Sequence, residues 1–305
     1  MKRFIVLCVA VVFGTALWAA NKRELRYEHG AVADKELLFF NSATALAQAA
    51  AIYTDETELY FSNSRTKWLS LGVDVQAEVE AMVHQSCVFL PTGTYTITDD
   101  IDVTNSCAVI GAGPGRTIIV CNTDSKNVFH VNNSNCAPFY LANLTILVTA
   151  SSTCALQIDR QVTTVSDAFV LENVDIVLAS HAGNQYAIYT KDVGVTLKNC
   201  NISCASTDGW AIGLYQINTA NAEAAITSHI WDSSITTSTA AAQTAVAIDL
   251  QDGNGATSNA YVYNSNLAAT TAGGTAAALR AYQNADAAIY AYGTTCSGST
   301  ADVIQ

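Results

Sequence analysis

The chain has 305 residues, half of them hydrophobic and only 13% charged, with a formal net charge of −12. That length suits one large elongated domain with a small attachment. The acidic balance argues against nucleic acid or an anionic membrane as the main partner, because both recruit clustered Lys and Arg.

Residues 1–20 read as a secretory signal. Lys2 and Arg3 form the positive start, Phe4 to Phe13 are almost wholly apolar, and Ala19-Ala20 supply small residues before Asn21. The apolar run is too short for a membrane span. Trp18 is bulky for a site three residues before a cut after Ala20, so a retained anchor is the competing reading. Removal of the signal takes Cys8 with it and leaves Cys87, Cys107, Cys121, Cys136, Cys154, Cys200, Cys204 and Cys296. An even count in an exported chain permits disulfides, and at least one bridge is expected among Cys87, Cys107 and Cys121. Small buried thiols are the alternative. The spacings lack Cys-x-x-Cys knuckles and no His cluster accompanies them, so neither a metal nor another cofactor is expected.

Residues 21–72 form an N-terminal segment outside any repeat. Within it Glu58-Leu-Tyr-Phe-Ser, the turn Asn63-Ser64 and Thr66-Lys-Trp68-Leu-Ser-Leu predict a hairpin over 58–71. This short stretch loosely resembles small aromatic hairpins of phage virion and tail-fibre proteins. Asp74 then caps a short amphipathic helix with Val75, Val79, Met82 and Val83 on one face. Such a helix covers the open end of a stack of strands, whose edges would otherwise be unpaired.

Next come Val88-Phe-Leu-Pro91-Thr-Gly93-Thr-Tyr95-Thr-Ile97, Ile101-Asp-Val103, Ile110-Gly-Ala-Gly113 and Thr117-Ile-Ile119. This order of helix, Val-x-x-Pro-x-Gly-x-Tyr strand and Gly-x-Gly turn resembles the opening coils of the pectate-lyase-like superfamily. The resemblance, extended through the repeats below, covers about residues 73–300. It implies an all-β chain: a single-stranded right-handed parallel β-helix over 73–305 with an N-terminal capping helix. Gly111 to Arg116 is no dinucleotide loop, because Thr117 to Val120 reads as strand rather than helix.

Two interleaved signatures fill the C-terminal part at a period of about 30 residues. The first is apolar-x-Asn-x-x-apolar, centred on Asn143, Asn173, Asn199, Asp232 and Asn264. Asn tolerates left-handed backbone at a tight turn, and its amide both donates to and accepts from a copy in the next coil, so these positions predict a ladder. Asn143-Leu-Thr145 and Asn201-Ile-Ser203 also match the glycosylation pattern, but both are read as structural.

The second signature is Ala-Ile or Ala-Leu at Ala155, Ala187, Ala211, Ala247 and Ala278. Strict alternation from it sends Leu156/Ile158, Ile188/Thr190, Ile212/Leu214, Ile248/Leu250 and Leu279/Ala281 inward. It sends Gln157/Asp159, Tyr189/Lys191, Gly213/Tyr215, Asp249/Gln251 and Arg280/Tyr282 outward, with Gly213 as a notch. Cys154, Tyr186, Trp210, Val246 and Ala277 align as inward residues on the same rule. Each copy has one apolar face that only its neighbours can cover.

Function is not written in the fold, since the superfamily includes lyases, hydrolases, esterases, phage tailspikes and adhesins. No catalytic residue is identified. The Asp-Asp and Gly-His-Gly motifs of the polygalacturonase-like branch are missing from the C-terminal coils, and Asp99-Asp100 reads as a solvated turn. If the chain is an enzyme, lyase or hydrolase chemistry is what the resemblance implies. His84 reads as a surface residue, His130 as a structural strand residue, and His181 and His229 have no evident carboxylate partner.

The best binding candidates are the outward residues Gln157, Asp159, Tyr189, Lys191, Tyr215, Asp249, Arg280 and Tyr282, whose rings can pack on a sugar's apolar face. An ordinary polar strand face is the competing account of them. Two functions follow: a secreted or cell-surface protein that binds polysaccharide or cell-surface glycan along this face, or a structural, virion or adhesin-type protein, tailspike-like or a filament subunit. The second entails a homo-oligomer, trimer or filament.

Overall fold

The computed structural model describes residues 66–69, 74–83, 86–131, 138–151, 154–159, 169–219, 225–252, 257–281 and 287–298. The chain divides into two compact units, Met1–Trp68 and Leu69–Gln305. Of the first, the described residues form strand β1 (Thr66–Trp68). The signal, His84, Tyr282 and the rest of the expected hairpin lie outside the described residues.

The second unit opens with helix α1 (Val75–Glu80), where Asp74 accepts from Ala77 N at 3.1 Å as the N-cap. Val75, Val79 and Met82 are buried. Val83, expected on the same face, is 59% exposed because the helix stops at Glu80 and Ala81 caps it. Glu80 accepts from Asp102 N, and Asn105 donates to Met82 O, which ties the helix over the first coil.

The coils follow in sequence: β2 (Ser86–Leu90), β3 (Gly93–Ile97), β4 (Ile101–Val103), then β5 (Cys107–Gly111), β6 (Thr117–Cys121), β7 (Phe129–Val131). In the next two coils the first two strands fuse: β8 (Phe139–Val148) with β9 (Cys154–Asp159), and β10 (Phe169–His181) with β11 (Gln185–Lys191). Then come β12 (Thr196–Lys198), β13 (Asn201–Ser206), β14 (Ala211–Asn218) and β15 (Ile226–Trp231), β16 (Ser234–Thr239), β17 (Ala245–Asp252). The last are β18 (Ser258–Tyr263), β19 (Asn266–Thr271), β20 (Ala276–Ala281), β21 (Ala287–Tyr292) and β22 (Thr295–Ser297).

Every pairing among these strands is parallel, and the result is a right-handed parallel β-helix. One arm runs β2-β5-β8-β10-β12-β15-β18-β21 and a second runs β3-β6-β8-β10-β13-β16-β19-β22. The third strands make a seven-stranded sheet, β4-β7-β9-β11-β14-β17-β20.

The interior is a set of apolar columns. Val88, Val109, Leu141, Leu171, Leu197, Ile230 and Val262 are in register along the first arm, all fully buried. Ile119, Ile146, Ile176, Ile202, Ile235 and Leu267 form the matching column of the second arm. Ile101, Phe129, Leu156, Ile188, Leu214, Ile248 and Leu279 form that of the seven-stranded sheet. Each such side chain contributes about 1.5–3 kcal/mol by leaving water.

Asn143, Asn173, Asn199, Asp232 and Asn264 all turn the corner between the first two arms with φ from 49° to 56°. Asn173 Nδ2 donates to Asn143 Oδ1 at 2.8 Å, and Asn199 Nδ2 to Asn173 Oδ1 at 3.2 Å. Replacing Asn173 by Ala removes both bonds and a left-handed preference, so a loss of about 1–2 kcal/mol is expected, read as the shift of a urea midpoint.

The expected disulfide is overturned: no bridge is formed among the described residues. Register explains it. Cys107 pairs with Ser86 and Cys87 with Ala108, while Cys121 sits on another arm beside Ile97. Cys200 and Cys204 are buried thiols, pushed up by that burial to about 11 and about 12.

Candidate functional site

Strict alternation fails at one position in each of five strands of the seven-stranded sheet, β9, β11, β14, β17 and β20. Ala155 and Leu156 both lie in the core, as do Ala187 and Ile188, Ala247 and Ile248, and Ala278 and Leu279. The paired register passes over each of these alanines. Two consecutive inward residues form a bulge, and only a small first residue fits it. In β14 that residue is Gly213 rather than Ala211, because Ile188 pairs with Leu214.

Several expectations change with this register. Gly213 is no outward notch: a Cβ there would meet Ile235 Cγ2 at 2.2 Å and Ala247 O at 2.6 Å. Tyr186 and Ile212, expected inward, share a register position on the outer side of the bulge. Ile212 is buried there apart from the main core. Trp210 is not a core residue but 36% exposed, with the Arg280 guanidinium carbon 6.0 Å from its ring centre.

The outward positions then line up as one column across the sheet: Asp102, His130, Gln157, Tyr189, Tyr215, Asp249 and Arg280. Asp159 and Lys191 are in register beside it, with Lys191 exposed. The sequence reading reached this column from Gln157 onward and missed its first two members. His130, read as structural, stands on the same outward face, with Nδ1 3.0 Å from Asp102 Oδ1 and Nε2 3.9 Å from Asp159 Oδ2. The apolar-polar-apolar triplets Ile101-Asp102-Val103 and Phe129-His130-Val131 were the signal available.

At the centre Tyr186, Tyr189 and Tyr215 form one aromatic cluster, with ring centres 5.3–6.2 Å apart. Tyr215 donates to Gln251 Oε1 at 2.7 Å. On one flank Gln157 accepts from Asn127 and donates to Asp159 Oδ2, while Asp159 Oδ1 is buried without a partner. On the other flank Arg280 grips Asp249 with both Nε, at 2.9 Å, and a terminal nitrogen. Asp249 is therefore outward but fully buried beneath the guanidinium.

The acids of this face are engaged by His130, Gln157 and Arg280. The arrangement suits holding a ligand better than presenting a bare carboxylate pair to a scissile bond. Asp99 and Asp100 sit apart at a turn, Asp99 paired with Lys126 and Asp100 accepting from Asn127 N.

Burial, and secondarily the Asp159 charge, pushes Tyr189 up to about 12; burial and then Asp249 push Tyr215 up as well. Between the ordinary tyrosine value of 10.0 and about 12 the folded chain keeps a proton that the unfolded chain releases, so stability falls as pH rises through this window. Melting temperatures measured from pH 10 to 12 are expected to decline, less steeply in Tyr189→Phe. Equal slopes for the two chains would contradict this account.

Comparison with known proteins follows the same outline. The family model described as rhamnogalacturonase A/epimerase, pectate lyase-like, matches residues 75–287. No curated protein matches the chain. Among solved structures, the catalytic domain of a GH87 alpha-1,3-glucanase in complex with nigerose is 12% identical with a TM-score of 0.35, over 68% of this chain and 54% of that one. The ORF18 protein of Geobacillus virus E2 is 10% identical with a TM-score of 0.29, over 72% and 56%. The chain thus spans little more than half the length of either.

Proposed function

Since the chain belongs to the rhamnogalacturonase A/epimerase, pectate lyase-like family, we propose that it is an exported protein that binds extracellular polysaccharide along the outer face of its seven-stranded sheet. The observation that carries this reading is the unbroken column from Asp102 to Arg280 with three clustered tyrosine rings at its centre. A strand face that only had to meet water would not need three clustered rings next to a buried ion pair. Aromatic faces meet a sugar's C–H groups, while Gln157 and Lys191 meet its hydroxyls. Export rests on the reading of residues 1–20, and mass analysis of the secreted chain would show a cut after Ala20.

The ligand is a neutral glycan. Arg280, which would have favoured acidic sugars, is neutralised by Asp249, and Asp102 and Asp159 outnumber Lys191, so the face does not attract further negative charge. Affinity electrophoresis in neutral and uronate polysaccharides tests this directly. Retardation is expected in the neutral gels and is expected to weaken by about tenfold in Tyr189→Ala/Tyr215→Ala. The same incubations report cleavage, as new reducing ends for a hydrolase or unsaturated products for a lyase. Absence of retardation in every gel would sink the binding reading and leave a structural, assembly-forming role ahead.

A further inference from the structure

A second polar surface runs along the corner opposite this sheet's column, where the first two arms meet. It is a groove of about 540 Å³ bordered by Pro114 at one end and by Gly293 and Thr295 at the other. Two columns of side chains line it. One is the turn column, Asn199, Asp232 and Asn264. The other is the adjoining outward column of the second arm, Asp175, Asn201, Ser234, Asn266 and Thr295, which is in register throughout.

The amide ladder does not use up these groups. It joins Asn143, Asn173 and Asn199 and stops short of Asp232, whose carboxylate accepts from no other described residue. The buried hydroxyls of the groove do have work: Ser233 and Ser265 accept from Cys200 N and Ser233 N and so hold the turns. By contrast the side chains of Asp175, Asn201, Asn264, Asn266 and Thr295 form no hydrogen bond with another of the described residues. Donors and acceptors thus line one shallow, exposed strip, free to exchange water for the hydroxyls of a ligand.

An aromatic column borders the same strip. Trp231, Tyr263 and Tyr292 each stand one residue before the turn positions Asp232, Asn264 and Gly293, and their rings stack at 3.9 and 5.2 Å. Tyr263 is covered on both sides. Trp231 has Lys198 as its register neighbour on the other side, and Trp231 and Tyr292 are 37% and 51% exposed.

We propose that this corner groove is a second saccharide-binding site, specific for neutral sugar chains. Exposed amides, carboxylates and hydroxyls, one residue from the partly exposed Trp231 and Tyr292 rings, complement the hydroxyls and C–H faces of a pyranose. Other ligands fit the lining less well. The lining holds no Lys, Arg or His to attract an anion, and its two acids, Asp175 and Asp232, are on different columns rather than clustered as a cation would require. Partial burial raises the Asp175 carboxyl above its ordinary value, as in a site partly shielded from water.

The test is calorimetric titration of the full chain with neutral gluco-, galacto- and manno-oligosaccharides. Wild type is expected to show two classes of site. Tyr189→Ala/Tyr215→Ala, on the sheet face, should leave one class, and Asn201→Ala/Asn266→Ala should weaken that remaining class at least about tenfold. Asp232→Asn keeps a residue suited to the left-handed turn and extends the amide ladder, so it should not lower the melting temperature, yet it should weaken the same class. A single class that vanishes with the tyrosines, groove variants that bind as wild type, or no binding of any neutral oligosaccharide would each overturn the proposal. Groove binding that survives while the tyrosine variant also binds normally would instead count against the sheet-face reading alone.

Discussion

Gly213→Val is expected to prevent the folded solenoid from forming. Any Cβ at this position would come within 2.2 Å of Ile235 and 2.6 Å of the Ala247 carbonyl, and the second of these is backbone. Overpacking of a core ordinarily costs about 1–3 kcal/mol when side chains can move aside. Here the adjoining strand, β17, is held between β14 and β20, so it cannot retreat without loosening its register with both. Because a domain has about 5–15 kcal/mol in total, a branched side chain should exceed what the fold tolerates. Soluble yield and far-ultraviolet circular dichroism measure the outcome, with Gly213→Ala as an intermediate case of lowered melting temperature. A Val variant that melts like wild type would remove the bulge from the account.

Removal of Arg280 should be nearly as damaging, by another route. Asp249 has no exposure to water and is gripped by the guanidinium through two nitrogens. Arg280→Ala leaves that carboxylate buried without its counter-ion, and losses of about 3–5 kcal/mol are typical of such a change. It also takes a cation from the face of Trp210. The double variant Asp249→Leu/Arg280→Leu replaces the pair by apolar groups and should recover most of the stability. Denaturant unfolding of both single variants and the double completes a thermodynamic cycle. If Arg280→Ala costs no more than an exposed charge would, the pair is not the buried tie described above.

Both predictions depend on features that differ in how far the sequence exposed them. The apolar-x-Asn-x-x-apolar repeat was legible because each of its three fixed positions has one structural job: Leu171 enters one core column, Ile176 another, and Asn173 turns the corner between them. The seven-stranded sheet was half legible. Leu156, Ile188, Ile248 and Leu279 are inward as alternation requires, but the bulge before them reverses the faces of Tyr186 and Ile212. A bulge adds one residue without a marker of its own, and in β14 the presence of Ala211 two residues before Gly213 imitates the usual signature. His130 and Asp102 were missed because their coils have no Ala-Ile pair to set the phase. The corner groove was hidden by the success of the ladder idea, since a column of Asn already explained by stacking invites no second question.

The interruption at Asp232 has a consequence for how the molecule comes apart. A stack of coils behaves as a one-dimensional chain of neighbours, each holding the next. Up to Asn199 the corner carries side-chain amide cross-ties, whereas beyond it only serine hydroxyls and the backbone link the turns, and the outermost described strand on the first arm, β21, is only partly covered. Cooperativity is therefore graded along the axis rather than uniform. Backbone amides should exchange with solvent first in β21 and β22, then in the coils of β15 to β20, and last around Asn143 and Asn173, so that opening proceeds like a zip with a fixed starting end.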